Sequence, residues 1–149
     1  MASLDAEVKA RQPAGMTCFA PSLADLETLA DDAWRTIPEQ LRRHAEGVVI
    51  RVEDFPDAET EGELGLDSPF DLLGLYRGVA LTDKSISNPS PEPDMVFLYR
   101  RPLLDYWCET GEDLAHLVRH VLIHEIGHHF GFSDADMDLL EQEAEAAVA

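Results

Sequence analysis

The residues best equipped for chemistry are His124, Glu125 and His128, set in the run His124-Glu125-Ile126-Gly127-His128-His129-Phe130-Gly131-Phe132-Ser133-Asp134. The run reads H-E-x-x-H-x-x-G-x-x-D. On a helix, side chains four apart share one face, one turn from each other. His124 and His128 can therefore aim two imidazoles at one point and hold a zinc ion at about 2.0–2.1 Å. Glu125 is turned by about 100° from His124. That angle suits a general base acting on a metal-activated water better than it suits a ligand. In this composition the full pattern has chance odds of roughly 0.0001. The bland alternative is an exposed His-rich helix without metal.

A catalytic zinc usually takes three protein ligands and keeps one open position. Gly131 lets the chain turn back after the helix, and Asp134 follows His128 by six residues. Its carboxylate is the favoured third donor. The competing readings place Asp134 only in the first turn of a last helix, where negative charge is favoured, or take Glu141, Glu143 or Glu145 of that helix as the donor. Projecting the motif helix at about 100° per residue displaces His116, His120, His124 and His128 by about 40° each. On that projection His116 and His120 fall towards solvent. His124 and His128 sit at the flank of the apolar face, and Glu125 points inward, where a carboxylate needs a partner. His129 is expected to be a hydrogen-bonded core histidine.

The elements that must position these groups are legible in outline. Ser22 and Asp25 suggest a capping box opening a helix with Leu26, Leu29, Ala33 and Ile37 on one face. Pro38 ends it and could start a second short helix through Arg43, closed by Gly47. Val48 to Phe55 alternates as a strand. Pro56 to Pro69 is acidic and reads as a loop. Leu72 to Leu81 reads as a second strand, with Leu73, Leu75 and Val79 on one face and Gly74, Tyr76 and Gly78 on the other. Glycines on one strand face permit close approach by another backbone, or mark a bulge. Thr82 to Asp94, rich in Pro and Ser, reads as a mobile loop. Met95 to Tyr99 suits a strand covered on both faces. Arg100-Arg101-Pro102 ends it, and Leu103 to Trp107 suggests a helical turn. Thr110 is a plausible cap for the motif helix, whose buried face is Leu114, Leu117, Val118, Val121, Leu122 and Ile126. Ser133 caps a last helix from Asp134 to about Val148.

Composition bounds the class. The 149 residues, 45% apolar, suit one domain with an ordinary core. Residues 1–20 read as a loose leader and 21–149 as a single domain, without internal repeats. No apolar run approaches a membrane span. Met1 to Gly15 lacks the apolar stretch of a signal peptide. Cys18 and Cys108 make no disulfide framework, so a cytoplasmic setting is expected. The net charge of −19 argues against nucleic acid and anionic membrane as partners. It serves solubility first, though it would also attract cations and basic polypeptides.

With these residues in view, the chain resembles the small bacterial zincin-like metallopeptidases known as minimal zincins. The resemblance rests on His124 to Gly131 with Asp134 and Met137, and on the segments Leu73 to Gly78 and Tyr99 to Leu103. It runs from about Val48 to the C-terminus. It implies an α+β zincin-like fold, with a small mixed sheet beside an active-site helix and helices at both ends. It implies Zn2+ held by His124, His128 and Asp134, Glu125 as general base, and an edge strand along the cleft at Leu73 to Gly78. Compared with the larger metzincin group, Asp134 stands where a third His is usual. Met137 is the sole candidate for a methionine beneath the site, and only fifteen residues follow Asp134. The downstream wall of the cleft is therefore expected to be very small, or completed by a partner chain.

The expected function is hydrolysis of a peptide or protein substrate by a metal-activated water, with the peptide paired to Gly74, Tyr76 and Gly78. Tyr76 and Arg100 are candidates for steadying the oxyanion. The alternatives are a non-catalytic zinc-binding or protein-interaction module, and, on charge alone, an acidic decoy for a basic partner.

Overall fold

A computed structural model describes residues 19–78 and 93–148. Val79 and the part of the expected loop from Thr82 to Glu92 lie outside the described residues, as do residues 1–18 with Cys18. Helix α1 runs Leu23–Thr36 and opens on the expected capping box: Ser22 Oγ accepts from Asp25 N at 3.1 Å, and Asp25 Oδ2 accepts from Ser22 N at 2.8 Å. Pro38 leads into α2, Glu39–Arg42, and a 3-10 turn follows at Arg43–Ala45. Gly47, at φ +79°, closes this segment where an L side chain would be strained.

Three strands form one mixed sheet in the order β1 (Val49–Glu53), β3 (Met95–Tyr99), β2 (Gly74–Arg77). Strand β3 pairs parallel with β1, Ile50 opposite Val96, and antiparallel with β2, Leu75 opposite Phe97. The continuous apolar run Met95–Tyr99 is thus the central strand, with Val96 and Leu98 fully buried. Strand β2 is shorter than the expected Leu72 to Leu81.

Two segments correct the sequence reading. The stretch expected to be a loop contains helix α3, Ala58–Leu64. Asp57 caps it, its Oδ1 accepting from Thr60 N at 2.7 Å, and Gly65 ends it at φ +61°. Glu59 and Glu61 in its first turn suit the positive end of the helix dipole. After β3 comes no mere turn but α4, Arg100–Thr110. Pro102 is tolerated in its first turn, where no intrahelical partner waits for an N–H. Thr110 therefore belongs to α4, its hydroxyl donating to Tyr106 O at 3.0 Å, and the cap of the next helix is Asp113.

That next helix, α5 (Leu114–His129), is the centre of the fold. It packs against α1, β2, β3 and the last helix, α6 (Asp134–Val148). Leu114, Leu117, Val118, Val121, Leu122 and Ile126 form its buried face as expected, joined by Ile123. Leu26, Ala30, Ala33 and Ile37 of α1 and Met137, Leu140 and Ala144 of α6 complete the core. Each large side chain so buried contributes about 1.5–3 kcal/mol. Among the described residues no helix is long and apolar enough to cross a membrane.

Candidate metal centre

Helix α5 ends in a reversal that sets the site. Phe132 N donates to Gly127 O at 2.9 Å and Gly131 N to His128 O at 3.2 Å, with Gly131 at φ +79°. This paired closure satisfies the last carbonyls and turns the chain sharply. Ser133 then opens α6 with a reciprocal cap to Asp136 at 3.1 Å in both directions. Helix α6 runs back antiparallel along α5, as the side-chain pairs between them show. Met137, fully buried, seats against Gly127, where a Cβ would lie 2.5 Å from its Sδ.

The spacing of four on α5 meets acids on α6 turn by turn. His116 Nδ1 lies 2.9 Å from Glu145 Oε1. His120 Nδ1 lies against Glu141 Oε1 without hydrogen-bond geometry. His124 Nε2 lies 3.7 Å from the same Glu141 oxygen, and His128 Nε2 lies 3.5 Å from Asp134 Oδ1. The His120 and His124 rings are 4.1 Å apart, those of His124 and His128 5.7 Å. The expected surface placement of His116 and His120 is thus corrected: both are half-buried and engaged, because α6 covers the flank that the projection left to solvent. Of the alternative third donors, Glu141 faces His124, Glu145 faces His116, and Glu143 is exposed. Asp134 stays largely exposed beside His128.

His124 Nε2 and Glu141 Oε1 are sealed from solvent with no hydrogen-bond partner. An unsatisfied buried polar atom costs about 1–3 kcal/mol. Imidazole nitrogens and carboxylate oxygens are the donors that Zn2+ takes, so the residues present fit that ion. Burial, and then the neighbouring His120, lower the His124 pKa and favour the neutral imidazole that can bind metal.

Glu125 points inward as expected. Its Oε2 accepts from Tyr76 N at 3.4 Å, which ties the carboxylate to strand β2. Burial raises its pKa, while the Tyr76 N–H and His128 pull it down. His129 corrects the reading: it is exposed, and its ring stacks on Tyr76 at 3.9 Å instead of entering the core. The Tyr76 phenol donates to Asp94 Oδ2 at 2.8 Å. Arg100 is held by Pro21 O at 2.6 Å and Asp54 Oδ1 at 3.1 Å, so it ties the segment before α1 to the end of β1.

Gly74 of β2 and Gly78 just after it each have a packing reason. A Cβ at Gly74 would meet Val121 Cγ1 at 2.7 Å and Phe97 O at 3.0 Å, and one at Gly78 would meet His129 Cε1 at 2.8 Å. The close approach is by α5 side chains at both glycines, and at Gly74 also by the backbone of β3. Leu73 O accepts from Tyr99 N, so the Leu73 backbone faces β3. Strand alternation then turns the backbone groups of Gly74 and Tyr76 to the outer edge. A cleft of about 260 Å³ runs between this edge and α5, with Gly74, His124 and Glu125 among its walls.

Sequence reasoning missed His120 and Glu141 as a pair. The antiparallel return at Gly131 was the available signal, since it brings the histidines of α5 opposite the acids of α6. Residues 45–144 match the family model described as zincin-like metallopeptidase. No curated protein matches the chain.

Proposed function

The chain belongs to the zincin-like metallopeptidase family, and on that premise we propose that it cleaves peptide bonds with Glu125 as general base. His124, His128 and Asp134 would hold the zinc. The 3.5 Å between His128 Nε2 and Asp134 Oδ1 is compatible with two donors on one ion. Bound there, Zn2+ supplies Lewis-acid polarisation of the scissile carbonyl and an acidified water.

The carrying observation is the placement of Glu125. It follows His124, whose Nε2 is orphaned, and its carboxylate hangs beside the outer edge of β2. Tyr76 N–H holds one oxygen and fixes its orientation. Burial makes the carboxylate a stronger base than an exposed glutamate, which suits it to accept the proton of the attacking water and return it to the leaving amine. An extended peptide pairs with the outward backbone groups of Gly74 and the outward carbonyl of Tyr76, whose N–H is kept by Glu125, and further along with Gly78, by strand addition. That pairing lays its scissile bond along the cleft beside Glu125. Peptide or protein is the substrate class.

Glu125→Gln keeps the size and the link to Tyr76 but removes the base. It is expected to retain zinc and lose about 10²–10⁴-fold in turnover. Full activity in zinc-loaded Glu125→Gln would sink the mechanism.

A further inference from the structure

The seam between α5 and α6 holds donors that the motif does not use. One ligand atom from each of His120, His124 and Glu141 lies within 4.8 Å of the other two. Two of these atoms, His124 Nε2 and Glu141 Oε1, are sealed from solvent and have no hydrogen-bond partner. Donors bound tetrahedrally at about 2.0–2.1 Å stand about 3.3 Å apart, so side-chain shifts of about 1 Å close the cluster on an ion. Two imidazoles and one carboxylate suit Zn2+, Co2+ or Ni2+ rather than Mg2+ or Ca2+.

This cluster cannot be the same position as the motif set. His120 and His128 are eight residues apart, about 12 Å along the helix, too far for one ion to use both. We propose that His120, His124 and Glu141 form a second divalent-cation position, exclusive with the motif set because both draw on His124. An ion in the seam removes His124 from the motif set, so this position is a silent state of the site. A cleft of about 360 Å³ opens onto it, with Glu112, His116 and His120 among its walls. The His116–Glu145 pair sits one turn further out, and this mix of imidazole and carboxylate favours the approach of cations.

The test reads metal binding, not peptide cleavage, so it stands or falls apart from the peptidase reading. Asp134→Asn changes an 88% exposed side chain and leaves the motif set two protein donors against three in the seam. It is expected to keep one tight equivalent of Zn2+ in competition with a chromophoric chelator. Adding His120→Ala should then weaken binding by more than about 100-fold, beyond what losing a hydrogen bond to a ligand costs. Equal affinity in the two variants, or loss of zinc in Asp134→Asn alone, overturns the proposal. Asp134→Asn loaded with 113Cd2+ and labelled with 15N-histidine gives the same answer without a second substitution. One-bond coupling is expected at His120 and His124; coupling confined to His124 and His128 refutes it.

Discussion

Gly127→Ala probes how the motif is held against α6. A Cβ at this position would lie 2.5 Å from Met137 Sδ and 2.9 Å from its Cγ. Carbon and sulfur contacts relax at about 3.5–4.0 Å, so the side chain or the helix must yield by about 1 Å. Met137 is fully buried, so it yields only against packed neighbours. Overpacking of this kind costs about 1–3 kcal/mol. Replacing this last-turn helical Gly by Ala returns at most about 0.8–1.0 kcal/mol, leaving a net loss of up to about 2 kcal/mol. In a Met137→Ala background the clash is gone and only the propensity gain remains, so the same change stabilises by about 1 kcal/mol. The coupling between the two sites is therefore about 1–3 kcal/mol. Urea denaturation of the four proteins in the cycle measures it. Because the displaced element carries Asp134 and Glu141, Gly127→Ala should also weaken zinc binding by about tenfold or more. Additivity within about 0.5 kcal/mol would refute the reasoning.

Acid sensitivity should trace to the helix caps. The Ser22 N–H beside Asp25, the Thr60 N–H beside Asp57 and the Ser133 hydroxyl beside Asp136 hold those carboxyls below their usual value of 3.8. Depressed carboxyl values in the fold mean stability that is present above pH 3.8 and lost as pH falls through the folded values. Asp57→Ala should thus be less stable than the native chain at pH 7, with the gap closing below pH 3.8; a gap that is constant with pH argues against the cap. On β2, Gly74→Ala would meet backbone oxygen at 3.0 Å and should cost about 1–3 kcal/mol. Gly78→Ala meets the exposed His129 ring at 2.8 Å and the Tyr76 ring only at 3.4 Å, and should cost less than about 1 kcal/mol, as thermal melts of both variants would show. Equal losses would undo the packing account of the two glycines.

The parts of this fold that were legible in sequence are those set by local rules. The α1 capping box, the apolar face of α5, the stop at Gly131 and the continuous apolar strand Met95–Tyr99 each follow from spacing within a few residues. Helix α3 was hidden by its acidity, although Asp57 before it and Gly65 after it are ordinary boundary signals. Helix α4 was hidden by Pro102, read as a break where it sits harmlessly in a first turn. On α5, the shared flank of His124 and His128 and the inward turn of Glu125 could be read from spacing on one helix. The engagement of His120 by Glu141 could not, because it depends on where α6 lands after the reversal. His129 was misplaced for a related reason: at the last turn, the neighbour that matters is Tyr76 on β2, distant in sequence.

The central claim is zinc-dependent cleavage at the α5 motif, and turnover of an unstructured peptide before and after metal exchange tests it most directly. Chain stripped by a chelator should leave the peptide intact, and one equivalent of Zn2+ should restore cleavage. Cleavage at full rate by the stripped chain, or an intact peptide after one equivalent of zinc has demonstrably bound, would contradict the account.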